Sequence, residues 1–344
     1  MADYSPKNQQ ISFQPDSSFR NYDTATDTGW LAFDLVDGEF EITEPYRNRE
    51  EHRTIGGGRN LTKIAELGYN NGEGDLSQRM QSGIMFYYAL GSCSTVSDTP
   101  TGYQTHTITE GDSLPSFVMH IELEHATGAE SIRRDLIGCV VNTFTMLIEK
   151  EAVAKATSSL IVAKSIAGSD VSKPADLTPE YYQWHQLKNA SSTFLYNSTD
   201  VISNTANGCW DHIDKIEIVI ENNLEAIKVM GDEWSKKLLV GKRDYSINMH
   251  VWPQVADLYN LINTKVSDYA TDLSLTLVFE RTAGGGDYLQ IVFDKLYLKT
   301  YPNILQDWEA AKAVGLDIEL GLAPGGSCAV TIVDSLGIAY YEGS

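Results

Sequence analysis

The chain has 344 residues, about two domains of ordinary size at roughly 150 residues each. At 42% hydrophobic and 21% charged, the composition is that of an ordinary soluble protein, neither disordered nor membrane-spanning. Lys+Arg 26 against Asp+Glu 47 leaves a net charge of -21, so the chain cannot hold a duplex by neutralising phosphates, and it meets DNA only by repulsion.

The chain opens on MADYSPKNQQ, which lacks the charged-then-apolar order of a signal peptide, and residues 1–37 read as a polar arm and a first strand. From Trp30, Leu31, Phe33 and Leu35 alternate with smaller or polar residues until Asp37-Gly38, where a turn is expected. SQRMQSGIMFYYALG puts Met80, Ile84, Tyr87 and Tyr88 on one helical face and stops at Gly91. Period-two patterns follow at Phe117–Leu123, Ile216–Ile220, Ile247–Val251 and Leu273–Phe279, with a second helix expected from Pro253 over PQVADLYNLINTK. The fold class is therefore α+β and mainly β, with one short helix in each half. No apolar run approaches the roughly 20 residues a membrane span needs. Cys93, Cys139, Cys209 and Cys328 are far apart with no C-x-x-C pair, as expected of free thiols in a protein made in a reducing cytoplasm.

The halves repeat. Met119–Gly128 sets over Leu275–Gly284 at an offset of 156, which also carries Ile121 onto Leu277, Glu124 onto Glu280 and Ile137 onto Phe293. Gly58-Arg59 similarly matches Lys242-Arg243. The expected division is residues 38–205 as a first unit, with a polar insertion over 166–205, and 206–344 as a second.

Chemical motifs are weak. Gly56-Gly57-Gly58-Arg59 lacks the G-K-[ST] ending of a phosphate loop and reads either as that or as a surface loop. Gly284-Gly285-Gly286 reads as a hairpin turn. His120, Glu122 and Glu124 share one strand face beside His125, a set that could ligate a cation or merely be solvated. No H-E-x-x-H or G-x-S-x-G is present. Nothing argues for catalysis, a cofactor or a resident metal.

IEIVIENNLEAIKVMG followed by LLVGKRDYSINMHV is a strand, a loop, a Gly-Lys-Arg turn and a second strand. With GGGR, GEGDLSQ, a short helix ending in ALG, LPSFVMHIELEHATG and Ile137-Gly138-Cys139-Val140 in the first half, this ordered set resembles the tail tube proteins of long-tailed, siphovirus-like bacteriophages and related archaeal viruses. The resemblance covers most of residues 38–320 and implies a non-enzymatic virion protein, made in the host cytoplasm. Its rings would stack into the tube through which the genome leaves. It further implies self-association, contacts with a tape measure protein, a tail terminator and a distal tail protein, genomic DNA passing without specific binding, and no membrane.

Two tandem units would complete a pseudo-hexameric ring as a homotrimer. With about four lining strands per unit, 24 strands at roughly 4.8 Å give a bore about 37 Å across before tilt and side chains. An alternative class is a β-rich binding or adhesion module.

Strand alternation then assigns the faces. The lumen-facing set expected in the first unit is Glu41, Thr43, Asp75, Ser77, His120, Glu122 and Glu124; in the second it is Lys215, Glu217, Glu221, Ser246, Asn248, His250, Ser274 and Thr276. The long polar segments Glu44–Asn71 and Glu221–Arg243 are the expected ring-to-ring contacts, through Arg53, Arg59, Asn222, Asn223, Glu225, Lys242 and Arg243.

Overall fold

Alternating apolar residues form strands wherever one face is buried and the other wetted, and that period governs this chain. The computed structural model describes residues 4–16, 19–20, 30–32, 35–45, 47–52, 63–98, 102–125, 131–167, 181–183, 185, 187, 191–196, 199–200, 213–230, 232, 234–252, 273–281, 286–300 and 315–336. The first half holds β1 (Tyr4–Pro15), β2 (Leu31–Ala32), β3 (Leu35–Ile42), β4 (Arg47–His52), β5 (Lys63–Tyr69), β6 (Gly72–Arg79), α1 (Met85–Leu90), β7 (Gly91–Asp98), β8 (Tyr103–Glu110), β9 (Phe117–His125), β10 (Ser131–Glu149) and β11 (Lys155–Ala167). The second holds β12 (Thr193–Tyr196), β13 (Thr199–Asp200), β14 (Ile213–Glu221), β15 (Glu225–Ile227), β16 (Lys237–Leu239), β17 (Asp244–Val251), β18 (Leu273–Glu280), β19 (Tyr288–Leu298), β20 (Leu316–Leu322) and β21 (Cys328–Asp334). The protein is thus mainly β. The expected helix before Gly91 is present but short, closed by Gly91 at φ 104, a conformation that glycine adopts without strain. The segment from Pro253 lies outside the described residues. The turn expected at Asp37-Gly38 is instead a bulge, because β3 runs through it and skips register between Leu35 and Phe40 against β6.

Eight strands lie side by side in the order β3, β6, β11, β10, β14, β17, β20, β19. The 19-residue β10 makes this possible: its first part pairs with β9, and its last part, from Thr143↔Glu221 to Glu149↔Lys215, pairs with β14. A second layer branches away through β9, β1 and β2 on one side, and through β18, β12 and β13 or β21, β8 and β7 on the other. Between the layers runs one contiguous apolar core shared by both halves, with Phe86 of α1 against Phe144 of β10 at 4.6 Å between ring centroids.

The ladders repeat in register. Met119↔Leu136 and Phe117↔Cys139 recur as Leu275↔Phe293 and Leu273↔Leu296, each with two residues on one strand spanning three on the other. Leu136, not Ile137, therefore corresponds to Phe293; the connection after β18 is one residue longer than that after β9. Glu41↔Asp75↔Ser159 recurs as Glu217↔Asn248↔Glu319. Inside the small hairpins, Arg49↔Glu66 and Glu51↔Ile64 recur as Glu225↔Leu239 and Ile227↔Lys237.

Phe13↔Met119 also recurs, as Phe194↔Leu275, so β12 repeats β1. The polar stretch 166–205, expected as an insertion, supplies that strand and buries Tyr182 and Phe194 completely. Few apolar residues were needed, because pairing with β18 satisfies the backbone.

Among the described residues the copies differ in two places. The first copy is 17 residues longer between Gln78 and Phe117 than the second between the corresponding Val251 and Leu273, and in that length it forms the β7–β8 hairpin. In the second copy Ala323–Ser327 interrupt the counterpart of β11, and the resulting β21 pairs with β8, Val330 opposite Ile108.

Candidate functional surfaces

The eight-strand sheet has one face in the core and one carrying polar residues in rows. On β14 the buried Ile216, Ile218 and Ile220 alternate with Lys215, Glu217 and Glu221; on β17 the buried Tyr245, Ile247 and Met249 alternate with Ser246, Asn248 and His250. These six polar residues stand on the open face as their alternation implied. Register brings them together: Asn248 Nδ2 donates to Glu217 Oε2 at 2.9 Å, and Ser246 Oγ to Glu319 Oε1 at 3.3 Å. Lys215 Nζ stands 3.3 Å from Glu149 Oε1, and His250 Nδ1 2.7 Å from Asp317 Oδ1. Exposed pairs of this kind add little stability, so their consequence is the sign of the face. Asp75, Glu149, Glu217, Glu221, Asp244, Asp317 and Glu319 outnumber Arg79, Lys155, Lys215 and Lys299 on it. Glu149, Asp317 and Glu319 were missed by sequence reasoning, although Asp317 and Glu319 alternate with Leu316, Ile318 and Leu320, a strand signal in plain sight.

Asp75 is exposed and Glu41 lies opposite it in register; Thr43, just past β3, is exposed. Ser77 is on this face but buried, its hydroxyl 2.8 Å from that of Thr157.

The expectation for β9 and β18 requires correction. His120 and Glu122 are each only 3% exposed, because β9 belongs to the second layer and both its faces are covered. His120 Nδ1 lies 2.6 Å from Asp135 Oδ1, under the edge of Trp30 at 5.8 Å, and Glu122 Oε1 accepts from Arg133 Nε at 3.0 Å. Glu124 sits opposite Ser131 in the same strand. Ser274 and Thr276, half-buried, sit on the equivalent β18, opposite Leu195 and Thr193 of β12. His120 and Glu122 thus lie buried within the fold, away from the open sheet surface. No group of three or more metal-ligating side chains occurs among the described residues.

The expected contact loops divide likewise. Asn222 is fully buried, its Nδ2 donating to the carbonyls of Ala89 and Val141, both at 3.1 Å. Arg243 Nε donates to Asn222 Oδ1 at 2.8 Å, and its guanidinium also stands 4.0 Å from Glu110. Glu110 accepts from Tyr245 Oη at 2.7 Å and from the Cys328 backbone at 3.3 Å. Asn222 and Arg243 therefore bind the two halves of one chain together and are not free for another ring. Burial is the largest cause raising the Tyr245 hydroxyl far above its ordinary range, followed by nearby Cys328 and the bond to Glu110. In the second layer, His106 Nε2 reaches Asp334 Oδ1 at 3.3 Å, and Arg281 donates to the Gln81 carbonyl at 2.8 Å.

Asn223, Glu225 and Lys242 are exposed: Asn223, at φ 49, donates to the Lys242 carbonyl, and Lys242 pairs with Asp244 at 2.7 Å. Arg53, Arg59 and the Gly56–Gly58 run lie outside the described residues. The β15–β16 hairpin leans on the first half, through Ser235 on Asn71, Lys228 on Asn70 at 3.3 Å, and Asp232 on Arg20 at 2.9 Å. The Arg20 hydrogen bond is the main cause holding the Asp232 carboxyl below its usual range. At the hairpin's tip Val229 and Met230 are exposed, Met230 fully.

A continuous polar sheet face backed by one core defines a mainly β protein. The chain matches the family model for phage tail tube proteins over residues 21–322, and it belongs to that family. It is thus a structural tail tube protein, a component of the virion tail. None of the curated proteins matches it. No helix among the described residues is long and apolar enough to cross a membrane.

Proposed function

We propose that three copies of this chain close a pseudo-six-fold ring, and that stacked rings form the conduit through which the viral genome is ejected. The observation that carries this is the β10–β14 ladder, which joins two equivalent four-strand sheets edge to edge within one chain. Val141 corresponds to Leu298, since Leu160 and its counterpart Leu320 face them, so residues 300–306 stand in sequence where 143–149 pair with β14. β3 corresponds to β14 and pairs with β6 alone among the described ladders. In this reading the β19 end of one chain's sheet meets β3 of the next, as β10 meets β14 within the chain, and three chains close about 24 strands. Each tandem unit so read includes an opening strand, β1 in the first and β12 in the second.

The polar face lines the bore, and its excess of carboxylates repels phosphates so that DNA slides without sticking. The exposed apolar tip at Val229 and Met230 is the ring-to-ring contact in this reading. A tape measure protein within the tube, and terminator and distal tail proteins at its ends, are the partners such a conduit needs. Electron microscopy of concentrated protein tests this: rings of three chains support it, whereas six chains per ring or discrete monomers overturn it.

A further inference from the structure

The β14–β17 pair carries an exposed apolar group at each end. β14 runs to Glu221, the β15–β16 hairpin follows, and β17 returns from Asp244, so the Val229–Met230 tip belongs to one end of the pair. Trp252 follows Val251 at the other end and is 37% exposed. The eight residues of β17 alone put roughly 25 Å between the two ends. We infer that the tip of each chain packs on the Trp252 indole of a chain in the next ring, with every ring facing the same way.

Trp252 is held as a fixed plate. Its Nε1 donates to Asp214 Oδ2 at 3.2 Å, the His250 ring stands edge-on to it at 5.2 Å between centroids, and a side chain at Gly315 would strike both rings. An indole whose nitrogen is satisfied and whose position is set by its neighbours offers apolar area at little entropic cost. Met230 suits it, because an unbranched thioether adapts to a flat ring and sulfur–aromatic contacts are favourable. Charge agrees: Lys236 and Lys237 are exposed on the hairpin, whereas Asp214 touches Trp252 and Asp317 is bound to the adjoining His250. Tip and plate are different surfaces at opposite ends of one strand pair, so the contact is head-to-tail and adds ring after ring without closing. It also sets the turn between rings: Asn248 corresponds to Asp75, which puts Arg79, a cation, at the place in the first half equivalent to Trp252.

This inference rests on the stacked rings proposed above, and the test separates the two. In a Cys93→Ser, Cys209→Ser background, Met230→Cys and Trp252→Cys are placed in one chain, and the assembled tubes are oxidised mildly. Cys139 and Cys328 are buried and stay unreactive. The expected product is a covalent series running well past three chains, since each link crosses to the next ring. A series that stops at three, or a link within one chain, overturns the inference; so does a long series from Met230→Cys with Arg79→Cys in place of Trp252→Cys. No linkage in tubes that microscopy shows intact also overturns it and leaves the rings standing, whereas a parent chain that builds no stacked rings of three overturns both. A second reading needs no cysteines and decides the matter where the cysteine pair fails to assemble. Trp252→Ala should raise severalfold the lowest protein concentration that supports tubes, Met230→Ala likewise, and the double substitution no further, because groups in contact are lost together. Effects that multiply, or no effect of Trp252→Ala in a chain that melts normally, overturn the contact.

Discussion

Arg243 and Asn222 are bound to each other at 2.8 Å, and through Asn222 the second half of the chain holds the carbonyls of Ala89 and Val141 in the first. Asn222→Leu leaves two buried carbonyls and a guanidinium short of partners and should cost about 2 kcal/mol. Arg243→Glu, which adds a carboxylate beside Glu110, should cost more. Both should lower the melting temperature of the unassembled chain. An Arg243→Glu protein that melts like the parent but fails to build tubes would restore the arginine to a ring-to-ring role.

Burial pushes the Asp16 carboxyl up from 3.8 to about 6, against weaker opposing pulls from the Ser116 side chain and the Gly138 and Arg20 backbone. The folded chain thus holds this proton more tightly than the unfolded one. Stability from this group is greatest below about pH 4, falls as pH rises towards about 6 and is level above. Asp16→Asn should remove that slope, raising stability at pH 7.5 by about 3 kcal/mol and leaving it unchanged at pH 3.5. Denaturant unfolding at the two pH values checks it, and an equal change at both would show that the effect is not titration.

For the open sheet face, Asp75→Lys combined with Glu217→Lys should leave tubes intact and make their bore bind DNA. Retention of a short duplex by purified tubes should rise by an order of magnitude or more at low ionic strength and vanish at high salt. Parent-like retention at every salt concentration would mean that these carboxylates do not face the channel.

Val229→Asp with Met230→Asp should shorten tubes while leaving rings and the melting temperature unchanged, because both side chains are exposed in the isolated chain. Tube length by negative-stain microscopy decides this, and full-length tubes would show that the tip is not a contact.

Much of this was legible in the residues. The 156-residue offset between Met119 and Leu275 is real in three dimensions, since alternating apolar positions had to recur wherever the same ladder recurs. What alternation cannot convey is which layer a strand joins. His120 and Glu122 read as wetted because they alternate with Met119 and Ile121; their burial depends on Trp30, Asp135 and Arg133, brought from elsewhere by the fold. The second copy's opening strand was hidden for a different reason. Thr193–Tyr196 is too short to display a period, and only its pairing opposite Leu275 reveals it as the counterpart of the strand that bears Phe13.

Among the described residues the β7–β8 hairpin occurs in the first half alone, and its ladder with β21 ties that half to the second across the outer layer. A ring of identical single-unit subunits would carry such a clasp at every boundary or at none. In the proposed ring of three two-unit chains, clasped and unclasped boundaries would alternate. The proposed tube would then bend with three-fold compliance, yielding first at the seams between chains.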